Sequence, residues 1–126
     1  MVGKQNVVAL VADNPLGDLI KPLSHEILLF DSYIAGTTHL KDEKVLDDLK
    51  EGDKLTLLRE PDNRFDENAI LVLDAQKRKL GYIPEKDNVV FARLMDAGKY
   101  LIAIVKGIEP KGTFRMINIG IFLVDF

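Results

Sequence analysis

Apolar residues in this chain come in short runs, cut apart by clusters of glycine, proline, asparagine and aspartate. Leu55-Thr56-Leu57-Leu58 and Ile70-Leu71-Val72-Leu73 have the length and make-up of strands, and Lys79-Leu80-Gly81-Tyr82-Ile83-Pro84 follows a polar reversal at 74–78. These three segments predict a meander, with Pro84 ending its last strand because proline has no N–H to give to a ladder. Further strands are expected at 26–36, 100–108 and 116–124, the last two joined by a hairpin turn over 109–113. Residues 26–36 are apolar enough for a strand buried on both faces over part of its length.

Two segments carry helical spacing. Residues 42–50 place Val45, Leu46 and Leu49 on one small face, a short helix or turn that Gly52-Asp53 stops. Asp87 or Asn88 can cap a helix with Val90, Phe91, Leu94 and Met95 on one face, and Gly98 offers the left-handed exit. Two prolines and a glycine break residues 15–25 into short helical turns, so residues 1–25 read as an N-terminal helical arm before a domain over 26–126. The predicted fold is mainly β, a small OB-like or SH3-like barrel of about six strands with one or two short helices, since closure hides sheet edges. A β-sandwich is the alternative.

Composition narrows the chemistry. The 126 residues fit one domain, and the lack of cysteine removes disulfides and thiolate chemistry, which points to a reducing compartment, the cytoplasm by default. Val7 to Ala12, broken by Asp13, is too short for a signal-peptide core or a membrane span, so no membrane partner is expected. A net charge of −3 opposes coating of nucleic acid by bulk electrostatics. The charge is uneven, however: residues 1–58 hold six lysines against ten acids, whereas residues 59–126 hold eleven Lys and Arg against ten acids, including every arginine. Any polyanion site should draw on the second part, because arginine is the better fork for phosphate.

The densest chemistry lies in Arg59-Glu60-Pro61-Asp62-Asn63-Arg64-Phe65-Asp66-Glu67-Asn68-Ala69-Ile70, a loop between two predicted strands. A rigid sheet would hold its amides, charges and aromatic at an edge, as recognition sites are commonly built. A purely structural role is also open: Pro61 starting a turn, Asp62 and Asn63 bonding their own backbone, Phe65 pinning the loop to the core, Asn68 capping the strand entry. A calcium frame beginning at Asp62 or Asp66 puts Glu67 or Leu71 where a glycine is required, so neither metal nor cofactor is expected. With no Cys, two His and no nucleophile elbow around Ser24 or Ser32, no enzyme is expected. His39 has no second ligand in sight. Tyr82, one residue short of Pro84, can stand at the rim and stack on a base, while Phe65, lacking a hydroxyl, is the one expected to be partly core.

Taken in order, Ile34-Ala35-Gly36, the string from Arg59 to Ile70, and Gly81-Tyr82-Ile83-Pro84 resemble the HIRAN domain family over about residues 27 to 109. That family occurs fused to Swi/Snf-type DNA translocases and as stand-alone bacterial proteins, which this chain resembles. The resemblance implies an OB-like barrel holding the three-prime end of single-stranded DNA, with a role in DNA repair or processing. It places Asp66 where a carboxylate accepts from the terminal hydroxyl. Phe65 and Tyr82 fall at ring-bearing positions, Asp62 and Asn63 beside them, and Thr38, His39 and Leu40 after the glycine. Thr38 and Leu40 depart from the family's basic and aromatic residues, and Glu85 stands near an expected basic phosphate contact; Lys86 and Arg64 are the candidates to replace it. Two other readings are a protein-interaction module that recruits a separate DNA-processing enzyme and a metal-dependent hydrolase acting at DNA ends.

Overall fold

The computed structural model describes residues 25–125. The expected helical turns over 15–25 and the arm over 1–25 fall, apart from His25, outside the described residues. Six strands, β1 (His25–Tyr33), β2 (Lys54–Arg59), β3 (Ile70–Leu73), β4 (Lys79–Tyr82), β5 (Leu101–Lys111) and β6 (Phe114–Asp125), form one antiparallel sheet in the order β1-β6-β5-β2-β3-β4. The meander of β2, β3 and β4 matches the reading of the sequence. With one sheet there is no sandwich.

The reason for the meander is local. Leu55 and Leu57 of β2 point inward between exposed Lys54, Thr56 and Leu58, the period-two pattern of a strand with one covered face. Central β3 is buried at Ile70, Leu71 and Val72. Inward residues of β5 and β6, among them Leu101, Val105, Ile117, Ile119 and Ile121, complete a core with Leu80 and Ile83.

The sheet curls without closing. Its edges meet at one point, where Ala35 and Tyr82 exchange backbone hydrogen bonds of 2.8 and 2.9 Å. Gly81 makes this approach possible: at φ +152°, a Cβ there would lie 2.3 Å from the Ala35 carbonyl oxygen and 2.7 Å from Ile34 Cγ2. An OB-like architecture with an incomplete seam results.

Several local expectations are corrected. β1 is a strand, but Ile27, Leu28, Leu29 and Phe30 are exposed rather than buried on two faces. It is an edge strand paired only with β6, so among the described residues its faces are incompletely covered. The β5–β6 hairpin is tighter than expected: Pro110 pairs with Arg115 and Lys111 with Phe114, leaving Gly112-Thr113 as the turn. Helix α1 (Asn88–Asp96) buries Asn88, Phe91 and Ala92, while Val90 faces out. Phe91 meets Phe30 with ring centroids 5.7 Å apart, and Gly98 leaves the helix at φ +89° as expected. Residues 43–48 form a 3-10 helix capped by the Asp42 side chain. Thr37–His39 form a second 3-10 turn rather than a plain strand end, with Thr37 buried.

Candidate nucleic-acid interface

The loop between β2 and β3 is fastened at three places. Its entry, Arg59, donates to both oxygens of Asp96 on α1 and to the carbonyls of Glu67 and Ala69, which ties the returning limb of the loop to the helix. Its first turn is closed by Glu60, whose Oε1 accepts from Asn63 Nδ2 at 3.0 Å and from the Tyr82 hydroxyl at 2.9 Å. Its far end is set by Asp66, whose Oδ1 accepts from the Asn68 N–H at 2.8 Å and Oδ2 from Asn88 Nδ2 at 2.7 Å. Buried Asn88 therefore positions the carboxylate from the start of α1.

Asn63 turns the chain between these anchors, its Oδ1 accepting from the N–H groups of Phe65 and Asp66. The consequence is a loop whose polar groups look inward and whose one aromatic looks out: Phe65 is 89% exposed. Leaving so large an apolar side chain in water forgoes the roughly 1.5 to 3 kcal/mol that burial would give and leaves the ring available for contact. The expectation that Phe65 is partly core is overturned. Tyr82 is the more covered of the two, because its hydroxyl has a partner in Glu60 and its backbone sits at the sheet seam. Burial, and then the hydrogen bond to Glu60, raise the Tyr82 pKa above its ordinary value, so its phenol stays protonated and donating at neutral pH.

Asn63, Phe65, Asp66 and Tyr82 come together around a pocket of about 230 Å³, with Ala35, Ala69 and Ile83 as its apolar floor and Glu85 on its rim. Among the described residues no Lys or Arg lines it. Each oxygen of Asp66 accepts one hydrogen bond from the protein and has a second acceptor position. Asp62 and Arg64 lie exposed on the same loop but do not line the pocket.

Thr38, His39 and Lys86 are distributed around it. Thr38 lines a neighbouring groove of about 460 Å³ that shares Ala35 with the first and adds Tyr33, Phe114 and Arg115. His39 lines a third groove, of about 320 Å³, with Leu40. The ammonium of Lys86 stands 5.5 Å from the centre of the Tyr33 ring. The second and third of these depressions flank the 3-10 turn at Thr37–His39.

Sequence reasoning missed Arg59 and Asn88 as the supports of the loop, and Tyr33, Phe114 and Arg115 as groove residues. The Phe114-Arg115 pair, an aromatic beside a cation just past a glycine turn, was the available signal for the groove. Asn88 gave none beyond a helix-capping preference, since what it binds is far away in sequence.

A curled sheet carrying a stiffened loop, an exposed aromatic and a fixed carboxylate defines a small β-rich recognition module. A family model, the HIRAN domain, matches residues 27–122, and the chain belongs to that family. HIRAN domains are binding modules for single-stranded DNA. Among solved structures, a protein from Lactobacillus plantarum is 30% identical, with a TM-score of 0.74 over 82% of this chain and 99% of that one. The HIRAN domain of human HLTF shares the fold, with a TM-score of 0.64 at 15% identity over 82% of this chain and 81% of that one. No curated protein sequence matches significantly. No described helix is long and apolar enough to cross a membrane.

Proposed function

We propose that the loop pocket holds the three-prime end of a single strand of DNA, as a non-enzymatic step in DNA repair or processing. The observation that carries this reading is the exposed Phe65 ring beside a carboxylate, Asp66, fixed by two hydrogen bonds in a pocket without cations. The terminal hydroxyl donates to the free acceptor position of Asp66, a contact an internal nucleotide cannot make. Phe65 covers the terminal base or sugar, and Tyr33 and Phe114 offer faces for the next base in the adjoining groove. Thr38, His39, Asn63, Tyr82 and Lys86 border the path, with Asp62 and Arg64 on the outer side of the loop.

Fluorescence anisotropy with short oligothymidylates ending in a three-prime hydroxyl or a three-prime phosphate tests it. The hydroxyl end should bind more tightly, and Asp66→Asn should erase most of that preference without unfolding the protein. Equal binding of both ends would remove the end-reading role. DNA incubated with the protein and magnesium should remain uncut; cleavage would favour the hydrolase reading instead.

A second reading, recruitment of a separate DNA-processing enzyme, is favoured by the exposed apolar residues of the edge strand β1. A purified complex with such an enzyme that survives nuclease treatment and is lost on Leu28→Lys would support it. Loss of the complex with the nucleic acid would count against it.

A further inference from the structure

We infer that Lys41 and Lys79 form a phosphodiester subsite beside the end pocket, so that Tyr82 separates an acidic half that takes the terminal nucleoside from a basic half that takes its first phosphate. The inference rests on the reading of the pocket as a DNA-end site and adds to it a charge polarity carried by residues outside the loop.

The groove that contains His39 and Leu40 is also lined by Lys41, Val45, Arg78 and Lys79, with Asp42. It adjoins the end pocket through one ring: the ammonium of Lys79 stands 4.8 Å from the centre of Tyr82, which is a wall of that pocket. Lys41 and Lys79 are both exposed, and among the described residues neither is in an ion pair. The two arginines that line these grooves are already engaged. Arg78 is held by Asp74 and Asp48, and Arg115 of the Phe114 groove by Asp47 and the carbonyl of Glu43. Lys86, over the Tyr33 ring, does not line this groove. Among the described residues Asp42 is the one acid that does, against Lys41, Arg78 and Lys79, and one of its oxygens accepts the Lys44 N–H.

The end pocket has the opposite sign, with Asp66 and Glu85 on its walls and Glu60 on the Tyr82 hydroxyl. A strand end has the same asymmetry: a neutral nucleoside with a free hydroxyl on one side, and a charged linkage on the other. Laid across Tyr82 in one direction, it puts hydroxyl to carboxylate and phosphate to ammonium; reversed, it puts phosphate against Glu85. Leu40 and Val45 add apolar lining beside the two ammoniums. On this proposal these cations answer the departures at Thr38 and Glu85, where basic residues are expected: the phosphate contact is moved to other positions.

The test uses the full chain and an oligothymidylate with a free three-prime hydroxyl, followed by anisotropy over a salt series. Single strands lose about 0.7 from the slope of log affinity against log salt per phosphate contact removed, so Lys41→Ala with Lys79→Ala, which together empty one phosphate subsite, should flatten it by about 0.7. Lys50→Ala, the same charge removed at a position outside the grooves, should leave the slope unchanged. A neutral methylphosphonate at the linkage next to the end should weaken binding by the unchanged protein and have no further effect on the double variant. An unaltered slope in the double variant, or a methylphosphonate penalty that persists in it, would overturn the subsite while leaving the end pocket standing. No binding by the unchanged protein at low salt would overturn the end-pocket reading and the subsite together.

Discussion

Phe65 concentrates the functional argument into one side chain. It contributes almost nothing to burial, so Phe65→Ala should leave the thermal midpoint within about a degree or two, because surface changes rarely exceed about 0.5 kcal/mol. DNA affinity should nevertheless fall by roughly 5- to 150-fold, the equivalent of about 1 to 3 kcal/mol for one stacked base. A variant that melts early and binds normally would return Phe65 to the core. Tyr82 makes a second prediction. Its pKa is raised, so the folded state holds the phenolic proton more tightly; the stability this supplies is complete below the ordinary value of 10.0 and is lost as pH rises through the folded value. Carbon-detected NMR titration should show Tyr82 ionising above the ordinary tyrosine value, with Glu60→Gln lowering its midpoint while burial keeps part of the shift. An unmoved midpoint would mean the Glu60 bond is absent in solution. The pattern of the sequence puts Phe65 partly in the core and Tyr82 at the rim; the structure exposes Phe65, while Tyr82 lines the pocket half-buried, tied to Glu60 22 residues earlier.

At the scale of elements, the loop works because α1 holds it. Asn88 is buried, and its amide reaches the Asp66 carboxylate at 2.7 Å. Asn88→Ala should cost about 1 to 3 kcal/mol in chemical denaturation, the usual penalty for breaking a buried hydrogen bond, and should weaken end preference alongside. A stability loss with end preference fully retained would mean that Asp66 needs no fixing. The meander was legible because β2 alternates with period two and its neighbours are bounded by turn residues. Three features were not legible, each for a physical reason. Pairing across the seam needs Gly81, and its role emerges only when Ala35 arrives beside it. The hairpin takes in Pro110 where β5 has run past its pairing with β2, so that on that side its missing N–H interrupts no ladder. The exposure of β1 depends on what else packs there, and no strand pattern contains that information.

At the scale of the molecule, an acidic chain is read as a binder of a polyanion. On the proposed reading the conflict is met by placement: the acids of the end pocket take a neutral hydroxyl, and Lys41 and Lys79, in no ion pair among the described residues, lie across Tyr82 from them. Glu85→Lys should therefore raise affinity for single strands and narrow the discrimination against a three-prime phosphate, most visibly at low salt, where screening is weakest. Unchanged discrimination would show that Glu85 does not face the strand end. Glu85 was visible in the sequence as a departure, but its position on the pocket rim required the turn after Pro84 to be seen.

The most direct test of the end pocket is a ¹⁵N-resolved NMR titration of the whole chain with a short single strand bearing a free three-prime hydroxyl. Amide shifts should concentrate at residues 63–69 and 82–85, with smaller changes along the Thr37–His39 turn, and should fade when the end is blocked. Shifts confined to β1, or none at any salt, would contradict a DNA-end site in this loop.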